Sequence, residues 1–235
     1  KSAQSLNVAK GFSDVTIVAS AGDDLANLFG SAGNDIYRGN SQSATLETAG
    51  RRTEVRGFDR VRAHAQSGGL DQAYITGSSG DDFVTSTANS VSASTASGTS
   101  HQVVNFDHVE FDGGDGVDRV SLTGSQGDDQ LTVDEHAREL ELELESTMAS
   151  LRMRNIEHAD FIGNGGVDEV RIDDAQSLDL LSAVGDRATA IYESMRVECQ
   201  DIAFLEANAV DGALASYDFE KVDFQYSLSG RWQKE

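Results

Sequence analysis

The sequence predicts an all-β protein, a right-handed parallel β-helix or β-solenoid built from four to five repeats. Three observations predict this fold: a five-residue marker recurs at near-constant spacing, Gly/Asp turns follow it at fixed positions, and apolar residues alternate with polar ones after each turn. Alternation with period two is typical of half-buried strands. Short strands repeated at a fixed period bury their apolar edges on neighbouring units, as in a solenoid. The right hand follows from the general preference of parallel crossovers.

The marker sets the repeat boundaries. It reads "GFSDV", "GFDRV", "NFDHV", "NIEHA" and, in degraded form, "DIAFL", and its apolar residue is Phe12, Phe58, Phe106, Ile156 and Ile202. We predict one solenoid domain over 1–235, with repeats over 12–57, 58–105, 106–155 and 156–201, and a degenerate repeat with a cap over 202–235. Because 46 to 50 residues are too many for one ordinary coil, the spacing predicts two coils per repeat.

The first three repeats carry two Gly/Asp turns each, and in the fourth repeat Asp179 holds the second position without the glycines. The first turn closes on Asp24, Asp71, Asp118 and Asp168. The second turn, as in "TGSQGDDQLTV", closes 11 residues later on Asp35, Asp82 and Asp129. Glycine, asparagine and aspartate make turns readily, and the chain has 23 glycines and no proline.

The apolar columns between these turns predict the core. We expect two sets of residues to point inward and to stack from repeat to repeat: Val15, Val61 and Val109, and Leu28, Ile75, Leu122 and Ile172. "RELELELES" alternates leucine with glutamate and is interpreted as a strand, although both residues favour helices. Cys199 aligns with Val55, Val103 and Met153, which predicts a core cysteine.

Two further patterns bear on the fold. No Asn-Gly hairpin signal stands out, which disfavours a sandwich of paired hairpins. The polar, low-complexity stretch "STANSVSASTASGTS" over 86–100 is interpreted as a mobile loop or a weak strand.

Charge and hydropathy exclude two classes of partner. The formal net charge is −22 and the pI is about 4.4, without a Lys/Arg cluster, which excludes nucleic-acid binding. No apolar run reaches transmembrane length, so no membrane insertion is expected.

The second turns carry a family resemblance. "GSAGNDIYR", "GSSGDDFVT" and "GSQGDDQLT" resemble the nonapeptide of haemolysin-type (RTX) calcium-binding proteins, with serine in place of the second glycine. The whole repeat also resembles repeat regions of long secreted or surface proteins of marine bacteria. The resemblance implies calcium as the bound ion, with Asp35, Asp82 and Asp129 as ligands and Asp24, Asp71 and Asp118 as a second column. Family turns follow each other at nine residues, whereas these lie 11 apart and then 36 apart.

The alternative for the same aspartates is structural, because aspartate side chains also accept hydrogen bonds from turn N–H groups. Catalysis has weaker support: His108 and His158 share a repeat position, and no zinc-type spacing of histidines occurs. The sequence thus favours a non-catalytic structural or adhesive module of a larger extracellular or surface protein, with polysaccharide or other cell-surface components as partners. The alternative is a polysaccharide-binding or polysaccharide-cleaving β-helix, which an arginine-aromatic cleft would favour.

Overall fold

The computed structural model describes residues 12–66, 68–147, 149–176 and 179–235. Over these residues the chain forms 24 strands and no helix, so no helical membrane span occurs among them. The strands make two twelve-stranded sheets, A and B, which share one apolar core. The predicted β-solenoid is confirmed.

Each of the four repeats supplies five strands. Repeat one contains β1 (Asp14–Val18), β2 (Leu25–Phe29), β3 (Ile36–Gly39), β4 (Ser43–Thr48) and β5 (Arg51–Arg56). Repeat two contains β6 (Arg60–His64), β7 (Gln72–Thr76), β8 (Phe83–Thr87), β9 (Ser90–Ser94) and β10 (Ser100–Val104). Repeat three contains β11 (His108–Asp112), β12 (Arg119–Thr123), β13 (Gln130–Asp134), β14 (Glu139–Leu144) and β15 (Ala149–Arg154). Repeat four contains β16 (His158–Ile162), β17 (Glu169–Ala175), β18 (Leu180–Gly185), β19 (Arg187–Ile191) and β20 (Arg196–Gln200).

The tail continues both sheets. It adds β21 (Phe204–Ala209), β22 (Ala215–Val222), β23 (Gln225–Ser229) and β24 (Trp232–Lys234). Strands β21 and β23 extend sheet A, and β22 and β24 extend sheet B. Trp232, in the last strand, packs partly buried against the core.

The strand order shows how each repeat is wound. Sheet A runs β1-β5-β4-β3-β7-β11-β15-β14-β13-β17-β21-β23, and sheet B runs β2-β6-β10-β9-β8-β12-β16-β20-β19-β18-β22-β24. The first strand of a repeat lies in one sheet, the second strand in the other, and the last three return to the first sheet. These last three form an antiparallel triplet, while the remaining pairings are parallel.

One prediction about winding is wrong. The chain passes between the sheets three times per repeat, so a repeat makes one and a half turns rather than two coils, and equivalent strands alternate between sheets. Hairpins also occur, two in each triplet, although no Asn-Gly dipeptide marks them. In the first triplet Asn40 Oδ1 accepts the Gln42 and Ser43 N–H groups at one hairpin, and Gly50, at φ 76°, turns the other.

The inward columns follow the predicted register. Val61, Val109, Leu28, Ile75, Leu122 and Ile172 are buried. Val15 is only partly buried, because β1 is the terminal strand of sheet A. Burying a side chain of this size stabilises the fold by about 1.5–3 kcal/mol. The predicted stacking of each column from repeat to repeat is wrong, because equivalent strands alternate between the sheets, and Val109 of β11 lies beside Ala73 of β7 rather than beside Val61.

Two ambiguous segments are resolved. "RELELELES" contains β14, with Leu140, Leu142 and Leu144 buried. Within 86–100 the strand interpretation is confirmed, since β9 buries Val91 and Ala93.

Cys199 lies in β20 and is buried, as are the aligned Val55, Val103 and Met153, so the prediction of a core cysteine is confirmed. Burial raises the pKa of its thiol to about 12. Each of these four residues lies in the third strand of its triplet, which explains why one repeat position is apolar throughout.

Candidate functional site: the corner carboxylates

The second turn closes on its own aspartate. In the first repeat the Ser31 N–H donates to Asp35 Oδ2 at 2.5 Å, and the Ser31 hydroxyl donates to Asp35 Oδ1 at 2.8 Å. Ser78 makes the same pair of bonds to Asp82. Ser125 and Asp129 repeat the arrangement. The serine of each second turn is therefore a donor to the turn aspartate.

The glycine before this serine is required by space. A Cβ on Gly77 would overlap Oδ2 of Asp82 and the carbonyl oxygen of Gly113 in the adjacent coil. Only glycine lets the backbone approach the carboxylate this closely.

The turns are joined across coils by bonds from backbone to carboxylate, which we call the carboxylate ladder. The Asp35 N–H donates to Asp71 Oδ1 at 2.8 Å, and the Asp71 N–H donates to Asp107 Oδ2 at 2.7 Å. The ladder therefore runs from a second turn to the first turn of the next repeat, and from there to the marker of the repeat after it.

The same ladder recurs along both edges of the solenoid, the two lines of turns where the chain passes from one sheet to the other. The Asp82 N–H donates to Asp118 Oδ1 at 2.7 Å, and the Asp118 N–H donates to Glu157 Oε2 at 2.7 Å. The Asp129 N–H donates to Asp168 Oδ1 at 2.9 Å. At the start of the solenoid the Asp24 N–H donates to Asp59 Oδ2 at 2.7 Å.

A second line of bonds runs beside the ladder. The residue before each second-turn aspartate accepts the N–H of the residue before the next first-turn aspartate. These pairs are Asn34 with Leu70 at 2.9 Å, Asp81 with Val117 at 2.9 Å, and Asp128 with Val167 at 2.8 Å. Each corner is thus fastened to the next by two side chains.

The predicted ligand residues are split between the two edges. Asp24, Asp82 and Asp118 lie on one edge, and Asp35, Asp71 and Asp129 lie on the other, because each repeat makes a half-integral number of turns. The structure brings Asp82 together with Asp118, and Asp35 together with Asp71. By contrast, Asp24 meets Asp59, and Asp129 meets Asp168.

Sequence reasoning missed the third members of the ladder. Asp59, Asp107 and Glu157 follow the aromatic or aliphatic residue of the marker and accept the first-turn N–H. Their recurrence directly after the marker residue was a usable signal. The fifth marker has Ala203 at this position, so it has no acceptor to offer to Asp168.

Burial and neighbouring charge raise the pKa of several ladder carboxyls. Desolvation, and then the Asp82 and Glu157 carboxylates, raise the pKa of Asp118 to about 6. Desolvation, and then the Asp129 carboxylate, raise the pKa of Asp168 to about 6. The accepted N–H bonds oppose these shifts without cancelling them. Oδ2 is buried without a hydrogen-bond partner in both Asp24 and Asp118.

The arrangement is suited to accepting backbone N–H groups. Among the described residues, no group of three or more His, Cys, Asp or Glu side chains is placed to hold a metal ion. Calcium requires six to eight oxygen ligands, and apart from Oδ2 of Asp24 and Asp118 the ladder oxygens named above face N–H or O–H donors. Calcium binding by the six aspartates stays a prediction.

His108 and His101 both lie within hydrogen-bonding distance of other groups of the fold. The His108 ring lies on the outer face of sheet A, 2.8 Å from the Ser150 hydroxyl. His101 lies in the core, 2.7 Å from the Tyr37 hydroxyl and 3.1 Å from the Asn40 carbonyl oxygen. Burial lowers the pKa of His101. Its position is taken by Leu151 and Val197 in later repeats, so the sequence pattern alone predicts a core position there.

The outer face of sheet A carries charged rows. Glu54 pairs with Arg52 at 3.1 Å and with Arg56 at 2.6 Å. Further along, the Arg38 guanidinium lies 5.3 Å from the centre of the Tyr74 ring. Such half-exposed pairs contribute about 0–1 kcal/mol each to the free energy of unfolding. They therefore add little to the stability of the fold.

No protein-family model, no curated protein and no solved structure matches this chain.

Proposed function

We propose that this chain is a non-catalytic structural module of an extracellular or surface protein, in which the repeated aspartates hold the coils together. The observation that supports this is the carboxylate ladder. The acidic side chains that would supply ligands or general acids are committed to backbone N–H groups, at 2.7–2.9 Å from one coil to the next.

A module of this kind acts by spacing and presenting other parts of a protein. Both sheets are paired along their length, and the chain continues them with the same core from repeat to repeat. Twelve strands at about 4.8 Å each give a stack of roughly 55 Å. A high negative surface charge keeps such a body soluble and apart from other acidic surfaces.

The proposal is tested by product release from neutral and acidic polysaccharides. We expect no cleavage, together with resistance of the folded chain to trypsin, because arginine side chains on paired strands do not expose their backbone. Cleavage that falls at least tenfold in His108→Ala or Asp118→Asn, at an unchanged melting temperature, would overturn the proposal. Rapid tryptic digestion of the folded chain would also count against it, since an extracellular scaffold must persist.

A second candidate function, polysaccharide binding, is favoured by one surface feature. On the outer face of sheet A, Arg38, Tyr74 and His108 lie on three neighbouring strands, and the Tyr74 and His108 rings are 6.3 Å apart. Sugar rings stack on aromatic faces, and a guanidinium can donate to their hydroxyls. Glu47 and Glu110 lie beside this row and disfavour an acidic polysaccharide.

This candidate is tested by calorimetric titration with neutral oligosaccharides. Tyr74→Ala should abolish binding, whereas Tyr226→Ala, an exposed tyrosine at the far end of sheet A, should leave it unchanged. Equal loss of binding in both variants, or binding that survives Tyr74→Ala, would refute a site on this row.

A further inference from the structure

Among the described residues, which begin at Phe12, nothing covers the end of the solenoid formed by β1 and β2. Within that part of the chain these strands are terminal in sheets A and B, and each pairs with one neighbour. Ile17 of β1 is 37% exposed, whereas Phe111, at the same position of β11, is fully buried. Phe12 and Val18 add further exposed apolar surface. An apolar end with unpaired backbone groups favours the addition of strands.

The carboxylate ladder is incomplete at this end. Where it is complete, a first-turn aspartate accepts the N–H of a second-turn aspartate and donates its own N–H to a marker carboxylate, as Asp118 does with Asp82 and Glu157. Asp24 occupies the same repeat position and makes the second of these bonds, to Asp59. No second turn lies in front of it among the described residues, so it accepts no N–H from a second-turn aspartate there.

The strand order specifies what would complete the end. In sheet B the strand before β12 is β8, which follows a second turn, so β2 requires a strand of that kind. In sheet A the strand before β11 is β7, which follows a first turn, so β1 requires one of that kind. These two strands are consecutive within one repeat. We propose that the end formed by β1 and β2 docks a further repeat of this same five-strand type, whose second-turn aspartate donates its N–H to Asp24.

The opposite end of the molecule is a poor substitute for that repeat. There the Tyr226 ring packs edge-on against Phe219, with ring centres 4.7 Å apart, and Leu228 and Trp232 pack against the core. The tail contains no Gly-Ser-x-Gly turn. A second copy stacked head to tail would therefore bring no second-turn aspartate to Asp24. This inference rests on the fold and not on the proposed function.

The test inserts a repeat into the full chain. A copy of 58–105 is placed between residues 11 and 12, where Gly11 precedes the copy as Gly57 precedes the original. The extended chain should unfold in one transition, at a higher melting temperature and with a larger urea m-value than the original chain, because m scales with the surface exposed on unfolding. Asp24→Ala should lower the melting temperature of the extended chain by about 2–4 °C, the shift expected for one buried hydrogen bond in a chain of this size. In the original chain the same change should cost less than about 1 °C.

Asp24→Asn is the matched control, because its amide oxygen still accepts the N–H, and it should restore the extended chain. A copy of 106–155 inserted at the same place is a second extension, which covers the case in which the first does not fold. The proposal is overturned if both inserted repeats fail to fold or melt separately, or if Asp24→Ala has equal effects in extended and original chains. It is also overturned if sedimentation shows a dimer of the original chain that persists in the extended one, since a second copy would then occupy another surface.

Discussion

Replacing Asp118 by alanine should destabilise the protein, because Asp118 joins three coils. Its Oδ1 accepts the Asp82 N–H at 2.7 Å, and both residues are buried. In the alanine variant this N–H has no acceptor, and an unsatisfied buried group costs about 1–3 kcal/mol. Burial disfavours the charged form of Asp118, so removing this carboxylate offsets part of that cost. We therefore expect the free energy of unfolding to fall by about 1–2 kcal/mol. In a chain of this length the melting temperature should fall by roughly 2–8 °C.

Two variants separate the hydrogen bond from the charge. Asp118→Asn keeps an acceptor oxygen and removes the charge, so its melting temperature at pH 7 should stay within about 2 °C of the parent. Asp115→Ala removes an exposed carboxylate three residues earlier and should have no effect. Circular dichroism melts and urea titrations measure all three. If Asp118→Ala and Asp115→Ala melt together, the ladder does not stabilise the corners and the reasoning is refuted.

Three other predictions follow from the buried groups. Asp118 and Asp168, with pKa values of about 6 in the folded protein, bind more protons than the unfolded chain does between about pH 4 and pH 6. The stability they contribute is present at low pH and lost as pH rises through 6, so the melting temperature should increase on acidification from pH 7 to about pH 5, and less so in the double asparagine variant. A melting temperature that falls over this interval would contradict the raised pKa values. Millimolar calcium should raise the melting temperature no more than sodium at matched ionic strength, since ladder oxygens already accept N–H groups; a larger rise that Asp129→Asn reduces would instead support calcium ligation. Cys199 should resist a thiol reagent until denaturant is added, because burial raises its pKa to about 12 and blocks access; fast labelling of the folded chain would refute its core position.

The sequence predicted the strands and their inward faces because both depend on local alternation. Burial of Leu122, Ile172 and Cys199 follows from aligning the repeats, since equivalent positions have equivalent surroundings. The antiparallel triplets were not predictable from alternation, because a strand that folds back within its own sheet and one that crosses to the other sheet carry the same pattern. What distinguishes them is the turn, as at Ala88 and Asn89, where two residues leave room only for a hairpin.

The ladder could be predicted only in part. The sequence shows an 11-residue interval between the two turns of one repeat and a 36-residue gap between the turns of successive repeats. That gap is the ladder step, since Asp35 and Asp71 lie 36 residues apart and are bonded. Fold-back of the triplet takes up the intervening chain and brings the two turns to one edge. The Tyr37–His101 contact could not be predicted, because nothing in the spacing of these residues relates one sheet to the other.

Equivalent strands of successive repeats lie alternately in sheet A and sheet B, so odd-numbered and even-numbered repeats present the same position on opposite sides. His108 and His158 hold the same repeat position, yet His108 lies in β11 of sheet A and His158 in β16 of sheet B, so they face opposite sides of the molecule. A surface feature that must recur on one side of the molecule can therefore recur only in every second repeat. The spacing of such features is 94 residues, as from Phe12 to Phe106, or 98 residues, as from Phe58 to Ile156. Duplication of a single repeat would turn everything beyond it to the other side, whereas duplication of a pair would preserve both surfaces. Selection for a surface in a protein of this design therefore acts on pairs of repeats.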